Sequence, residues 1–116
     1  MAKTITSKLE DFSIQLEEKE GRYTVTIDSY KGNAEKVIVP DNIGGLPVTV
    51  IGGLAFFNCD TLTSVILPEG IVAVESGAFG HCINLVDINL PQSLVSIGYA
   101  IFEDCEKLTS IRIAIF

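Results

Sequence analysis

Residues 77–91 read Gly77-Ala78-Phe79-Gly80-His81-Cys82-Ile83-Asn84-Leu85-Val86-Asp87-Ile88-Asn89-Leu90-Pro91, and the pattern recurs 23 residues earlier and 23 residues later. The three cysteines of the chain mark this period, because they stand at Cys59, Cys82 and Cys105. Seven apolar columns keep the same register, including a phenylalanine three residues before each cysteine and a leucine three residues after it. A period of this length predicts a solenoid, in which each coil buries its apolar face against the next.

A partial unit precedes the three full ones. Val37-Ile38-Val39-Pro40 matches the later Val65-Ile66-Leu67-Pro68, but the step between the two prolines is 28 residues rather than 23. The five extra residues fall around Gly44-Gly45-Leu46-Pro47, a turn-forming cluster. We therefore expect about three coils and one leading strand.

Each unit carries the Leu-x-x-Leu-x-Leu spacing that is typical of leucine-rich repeats. The finer pattern resembles the BspA-type, or Treponema pallidum-type, leucine-rich repeat family over about residues 37–113. Two departures occur in the third unit, where Ile101 replaces the alanine of the others and Ala114 replaces the closing proline. The resemblance rests on Ile51-Gly52, Ala55-Phe56-Phe57-Asn58-Cys59, Gly77-Ala78-Phe79-Gly80-His81-Cys82, Ile97-Gly98, Phe102-Glu103-Asp104-Cys105 and the Leu-x-x-Val/Ile stretches that follow.

The predicted fold class is a β-rich α/β solenoid: a short, right-handed leucine-rich-repeat solenoid with parallel strands and an N-terminal β-hairpin cap. Apolar and polar residues alternate on both sides of residues 17–22, which predicts the hairpin within residues 9–30. The family resemblance implies the same cap. We expect residues 1–36 to form the leader and cap, and residues 37–116 the repeats.

Within each coil we expect a strand, a single helical or 3₁₀ turn, and a second short extended stretch. The turns are expected at 54–59, 77–82 and 100–105, and the extended stretches at 48–51, 71–74 and 94–97. Stacking should place Phe56, Phe79 and Phe102 in an internal aromatic ladder. Strand alternation turns every second side chain outward. The outward set, a candidate partner-binding face or else inert surface, is Lys36, Ile38, Ser64, Ile66, Asp87, Asn89, Ser110 and Arg112.

The last unit ends on Ile113, Ile115 and Phe116, without a polar capping element after it. An uncovered strand edge of this kind invites pairing with another chain. Two interpretations remain open. The natural protein continues with further repeats or another domain, or two C-terminal edges associate into a homodimer.

The sequence predicts no catalytic, cofactor-binding or metal-binding residues. The cysteines lack the close Cys-x-x-Cys spacing of a metal site, so we expect a buried column of free thiols, with a disulfide or metal as the alternative. His81 aligns with Asn58 and Asp104, which indicates a polar surface turn. The carboxylates are expected to form a solvated surface, or to attract weakly a cation or a basic partner, and the glycines are expected to form turns rather than a phosphate loop.

Composition excludes several classes of function. The chain has 116 residues, enough for one domain, and 47% of them are hydrophobic. A net charge of −7 argues against nucleic acid as a partner, and the apolar runs are too short for membrane insertion. Residues 1–11 show no secretion signal, so the chain as written looks cytoplasmic, although a domain excised from a secreted parent would look the same.

The leading hypothesis is a non-enzymatic protein–protein interaction module whose partner the sequence does not name. The family resemblance implies bacterial proteins, often on the cell surface or secreted, that act in adhesion or host contact. The alternative is a structural spacer or self-assembling repeat element without a dedicated ligand.

Overall fold

A computed structural model describes residues 8–113, which form one short 3₁₀ turn and ten β-strands. The 3₁₀ turn spans Leu9–Asp11 and leads directly into the first strand. The strands are β1 (Phe12–Lys19), β2 (Arg22–Tyr30), β3 (Lys36–Ile38), β4 (Asn42–Ile43), β5 (Leu46–Ile51), β6 (Ser64–Ile66), β7 (Ala73–Val74), β8 (Asp87–Leu90), β9 (Ser96–Ile97) and β10 (Ser110–Ile113).

The N-terminal hairpin is confirmed. β1 and β2 pair antiparallel from Lys19 opposite Arg22 to Phe12 opposite Tyr30. The turn uses Glu20 and Gly21, both with positive φ, as a two-residue hairpin of the favoured kind requires. The Glu18 carboxylate accepts a hydrogen bond from the Gly21 N–H at 2.6 Å. β2 then pairs in parallel with β5, so the cap belongs to a solenoid sheet rather than lying across its end.

Two sheets of parallel strands run along the stack of coils. One contains four strands in the order β10-β8-β6-β3, and the other follows the path β1-β2-β5-β7-β9, in which β1 is antiparallel. The 23-residue period sets the register, because Val65 pairs with Ile88 and Ile88 with Ile111. The same offset joins Val74 to Ile97 in the second sheet.

The five extra residues of the first step form a small hairpin. β4 and β5 pair through Asn42 with Pro47 and Ile43 with Leu46. Gly44 and Gly45, both with positive φ, make the turn between them. The insertion therefore leaves the stacking register of the later coils unchanged.

The core consists of the predicted columns, extended by the cap. Phe56 and Phe79 stack with centroids 4.9 Å apart, and Phe102 continues the ladder 6.1 Å from Phe79. Tyr30 adds a further ring on the N-terminal side, 5.2 Å from Phe56. Its hydroxyl accepts a hydrogen bond from the Ala34 N–H at 3.0 Å, which satisfies a buried polar group.

The segment that follows the second sheet in each coil is a run of tight turns and not a helix. Its local bonds, such as that from the Phe57 N–H to the Leu54 carbonyl at 3.1 Å, have the i→i+3 spacing of the expected 3₁₀ turn, but no helical segment forms. Leu54, Gly77 and Ala100 have positive φ, and so do the residues four positions later, Asn58 and its equivalents His81 and Asp104. Left-handed residues interrupt a right-handed helix. Every second N–H group of the first turn reaches the next coil, as Phe56 N–H does to the Ala78 carbonyl at 2.7 Å.

Candidate functional site

The outward face of the four-stranded sheet brings all eight predicted partner-binding residues together. Lys36, Ser64, Asp87 and Ser110 form one row across the strands. A second row lies two residues further along, where Ile38 is paired with Ile66 and Asn89 with Arg112. The inward neighbours Val65 and Ile88 are completely buried, as the predicted alternation requires.

The polar residues of this face bind one another across three strands. Asp87 accepts hydrogen bonds from Arg112 Nη1 at 2.6 and 2.7 Å on its two oxygens. On the other side, Ser64 Oγ donates to Asp87 Oδ2 at 3.3 Å. The Asp87 side chain is only 23% exposed, against 52% for Arg112. The acid is therefore held in one orientation, while the guanidinium stays accessible.

Isoleucine supplies the apolar part of the same face. Ile38 is half exposed and Ile66 is partly buried beside it. Their strands pair directly, so the two side chains are neighbours on one surface. The face thus has a small apolar patch beside Lys36 at one end and the Arg112 guanidinium at the other.

The C-terminal end of the solenoid exposes residues whose equivalents are buried one coil earlier. Val74 is 1% exposed and its partner Ile97 is 50% exposed, while Ile88 is fully buried and Ile111 is 42% exposed. Ile113, in the predicted self-association edge, is 61% exposed on the edge strand β10. Ile115 and Phe116, the other two residues of that prediction, lie outside the described residues.

A groove of about 530 Å³ on the turn side of the solenoid was not predicted from the sequence. Gly77 and Gly80 of the middle coil form part of its lining, because they carry no side chain that would fill the space. The Leu54 side chain lies over Gly77, and the Phe57 ring lies over Gly80. The signal was available in the repeat, since small residues replace large ones in two columns. Its lining residues occupy three columns: Gly53, Ser76 and Tyr99; Leu54, Gly77 and Ala100; Phe57, Gly80 and Glu103.

His81 lies beside this groove on the predicted polar turn. Its Nε2 is 3.4 Å from Asp104 Oδ2 and 4.0 Å from Glu103 Oε2. Linear spacing did not reveal this grouping, because the three residues come from two coils. The 23-residue offset, which places position 81 over position 104, would have found it.

With the coils and their register established, the chain can be compared with known proteins. The family described as "BspA type Leucine rich repeat region" matches residues 29–115. The chain belongs to the BspA-type leucine-rich repeat family. No curated protein matches this repeat protein.

Solved bacterial structures share the fold of this BspA-type repeat protein. The Treponema pallidum leucine-rich repeat protein TpLRR superposes with a TM-score of 0.85 at 30% identity, covering 97% of this chain and 50% of that one. A leucine-rich repeat protein from Bacteroides ovatus gives 0.74 at 25% identity, covering 90% of this chain and 28% of that one. A third, from Bacteroides capillosus, gives 0.64 at 17% identity and covers 94% of this chain and 98% of that one, a likeness of fold alone. The chain thus spans about half the length of TpLRR.

The three cysteines of the repeat protein are free thiols, and the expected burial holds fully for Cys82, while Cys59 and Cys105 are partly exposed. Cys82 Sγ donates a hydrogen bond to the Phe56 carbonyl and Cys105 Sγ to the Phe79 carbonyl, both at 3.1 Å. Burial raises the pKa of Cys59 to about 11 and that of Cys82 to about 12. Because the thiolate is the nucleophile, these thiols are poor candidates for chemistry at neutral pH.

Within residues 8–113, no helix is long and apolar enough to cross a membrane.

Proposed function

We propose that this BspA-type repeat protein is a non-enzymatic protein-binding module whose partner contacts the outward face of the four-stranded sheet. The observation that carries the proposal is the alignment of eight outward side chains in two adjacent rows on paired strands. A sheet of this kind presents side chains at fixed spacing on a rigid backbone, which reduces the ordering cost of binding.

The contacts on the face indicate the chemistry of its partner. Arg112 uses Nη1 for Asp87, and within the described residues its other guanidinium nitrogens donate no hydrogen bond to a side chain. They are therefore available to a carboxylate, for which arginine is well suited. Ile38 and Ile66 provide an apolar contact at the other end. A protein surface that pairs an acidic side chain with an apolar one is complementary to this face.

The family suggests a setting for such binding. BspA-type resemblance implies bacterial proteins that act at surfaces, and two of the solved relatives come from Treponema pallidum and Bacteroides ovatus. We extend the proposal to a bacterial surface or adhesion protein, in which the partner is a protein of another cell.

Site-specific photo-crosslinking tests the binding face. Benzoylphenylalanine replaces Ile66 on the face, or Val72 as a matched control. Val72 immediately precedes β7 in the other sheet. Each full chain is exposed to bacterial and host-cell extracts before illumination. We expect a defined crosslinked product from position 66 that disappears when Arg112→Glu is added. Equal products from both positions, or none from position 66, would contradict the proposal.

A second function is favoured by the exposed C-terminal end. Tyr99 is 87% exposed and Val95 84%, next to the half-exposed Ile97. Together with the edge strand β10, they form an apolar surface shaped to receive another coil. Apposition of two such ends around a two-fold axis would pair the edge strands and bury the surface. We propose end-to-end self-association as the alternative role of the chain.

Light scattering after size-exclusion chromatography tests self-association. We expect twice the 12.5 kDa mass of the chain, and the monomer mass when Ile97→Lys and Ile113→Lys are combined. Ile83→Lys, at a residue equally apolar and 40% exposed but away from the end, should leave the dimer intact. A wild-type chain that stays monomeric at high concentration would rule this role out.

A further inference from the structure

We propose that His81, Glu103 and Asp104 bind a divalent transition-metal ion of the zinc and copper type. The proposal concerns a site on the turn side of the solenoid, independent of the protein-binding face. One imidazole nitrogen and two carboxylate oxygens of these residues all lie within 4.8 Å of one another.

The distances suit a small ion with short bonds. Zinc takes nitrogen and oxygen ligands at about 2.0–2.2 Å in tetrahedral geometry, which places ligand atoms about 3.3–3.5 Å apart. His81 Nε2 and Asp104 Oδ2 are already 3.4 Å apart. Glu103 Oε2 is 4.0 Å from His81 Nε2, and no two ligand atoms of the cluster are more than 4.8 Å apart, so Glu103 must move inward to complete the site. Its side chain is 58% exposed and free to do so. Three protein ligands leave the fourth position open to water.

The stack of coils holds the ligands in place through the backbone. The His81 N–H donates to the Glu103 carbonyl at 2.7 Å, which fixes the two neighbouring coils side by side. The imidazole is also oriented by the Phe57 ring, which meets it edge-on with centroids 5.0 Å apart. The backbone register of the solenoid therefore places position 81 beside positions 103 and 104.

The charge of the site favours a cation. Among the described residues, neither Glu103 nor Asp104 has a lysine or arginine within ion-pair distance, and their basic neighbour is His81. A neutral imidazole leaves two adjacent negative charges that a divalent ion would neutralise. The nitrogen ligand selects transition metals over magnesium and calcium, which prefer oxygen alone.

The chain itself supplies conservative variants. Asn58, with φ of 63°, occupies the position equivalent to His81 and Asp104, whose φ values are 57° and 58°. His81→Asn and Asp104→Asn therefore keep a side chain that this backbone already accommodates. Glu103→Gln removes the charge of the third ligand. Glu106→Gln, at a carboxylate outside the cluster, serves as the matched control.

The test is a titration of the untagged full chain with ZnCl₂ alone. Calorimetry measures the affinity and the number of ions bound, and NMR monitors the imidazole signals. His81 is the only histidine in the chain, so its signals are unambiguous. We expect one equivalent to bind and to shift the His81 signals to saturation. His81→Asn should weaken binding by at least about 10–100-fold, the loss caused by removing an outer-sphere partner alone. Asp104→Asn and Glu103→Gln should weaken it as well, and Glu106→Gln should not.

Two results would overturn the site. One is zinc binding that leaves the His81 signals unmoved, or that His81→Asn retains at full affinity in a protein with unchanged circular dichroism. The other is a sulfur-to-metal charge-transfer band when Co²⁺ replaces Zn²⁺, which would assign the ion to the cysteine thiols. A loss of folding in one variant leaves the NMR titration of the wild-type chain as the deciding measurement.

Discussion

Asn89 and Leu67 are joined by two hydrogen bonds between a side chain and a backbone. The Asn89 side-chain oxygen accepts from the Leu67 N–H at 2.7 Å, and its Nδ2 donates to the Leu67 carbonyl at 2.9 Å. Leu67 follows the last residue of β6 and precedes Pro68. The Asn89 amide thereby supplies a partner for both backbone polar groups of Leu67 at the end of β6.

Replacement of Asn89 by leucine should lower the free energy of unfolding by about 1–3 kcal/mol, because both Leu67 groups lose their partner in a partly buried place. Urea denaturation measures the loss. Asn33→Leu, at an exposed residue of the same type, should change stability by less than about 0.5 kcal/mol. Equal effects of the two substitutions would show that the amide pair contributes nothing specific.

Phe79→Ala should destabilise the protein by about 3–5 kcal/mol, because Phe79 is fully buried between Phe56 and Phe102 and its loss leaves a cavity. Phe57→Ala, at a ring that is 45% exposed, should cost much less. Chemical denaturation of both variants provides the comparison. A loss below about 1 kcal/mol for Phe79→Ala would contradict the role of the ladder as the centre of the core.

Thiol reactivity should follow burial. In the folded chain at neutral pH, a disulfide-exchange reagent should modify Cys82 most slowly, because its side chain is completely buried and its pKa is raised to about 12. All three thiols should react rapidly in denaturant. Mass spectrometry of partly modified samples gives the order of reaction. If the thiols of the folded chain reacted as fast as those of the denatured chain, the cysteine column would be accessible to solvent and the prediction would be wrong.

Stability should fall in alkali. The folded pKa values of Cys59 and Cys82, about 11 and 12, lie above the value of about 8.5 expected for an unfolded cysteine. The folded state therefore retains protons that the unfolded chain has released, so stability is complete below about pH 8.5 and declines as the pH rises through 11 and 12. Urea unfolding at about pH 7 and pH 10 measures the decline.

The Cys82→Ala variant controls for this effect and should show a smaller decline. Part of the decline should remain, because burial also raises the pKa values of Cys59, Cys105 and Tyr30. An identical pH profile in the variant would assign the effect to other groups.

The repeat could be predicted because its recurring positions hold apolar residues, whose main physical role is to fill a core. Phenylalanine, leucine and valine at fixed intervals fill a core, and the core fixes the register, so the ladder from Phe56 to Phe102 and the outward row at Ser64 and Asp87 followed from spacing alone. The cap followed from alternation around Gly21. What remained open was which surface the protein uses.

Backbone conformation and contacts between coils were harder to predict. A helix could not form at the turns because Leu54 and Ala100 have left-handed φ. No local sequence pattern reports this conformation, which accompanies hydrogen bonds between coils such as that from the Leu54 N–H to the Ser76 carbonyl. Tyr30 escaped notice in the ladder because the cap does not share the period. The grouping of His81 with Asp104 required overlaying one coil on the next.

The left-handed turn residues have a consequence for how such arrays change over evolution. A position that demands this backbone admits glycine, asparagine, aspartate and histidine more readily than other residues. Three of these four carry atoms that coordinate ions or accept protons. Each added coil places one more of them about 4.8 Å further along the axis. Duplication of coils therefore lengthens a row of amide, carboxylate and imidazole side chains along one side of the molecule, without any selection for ligand binding.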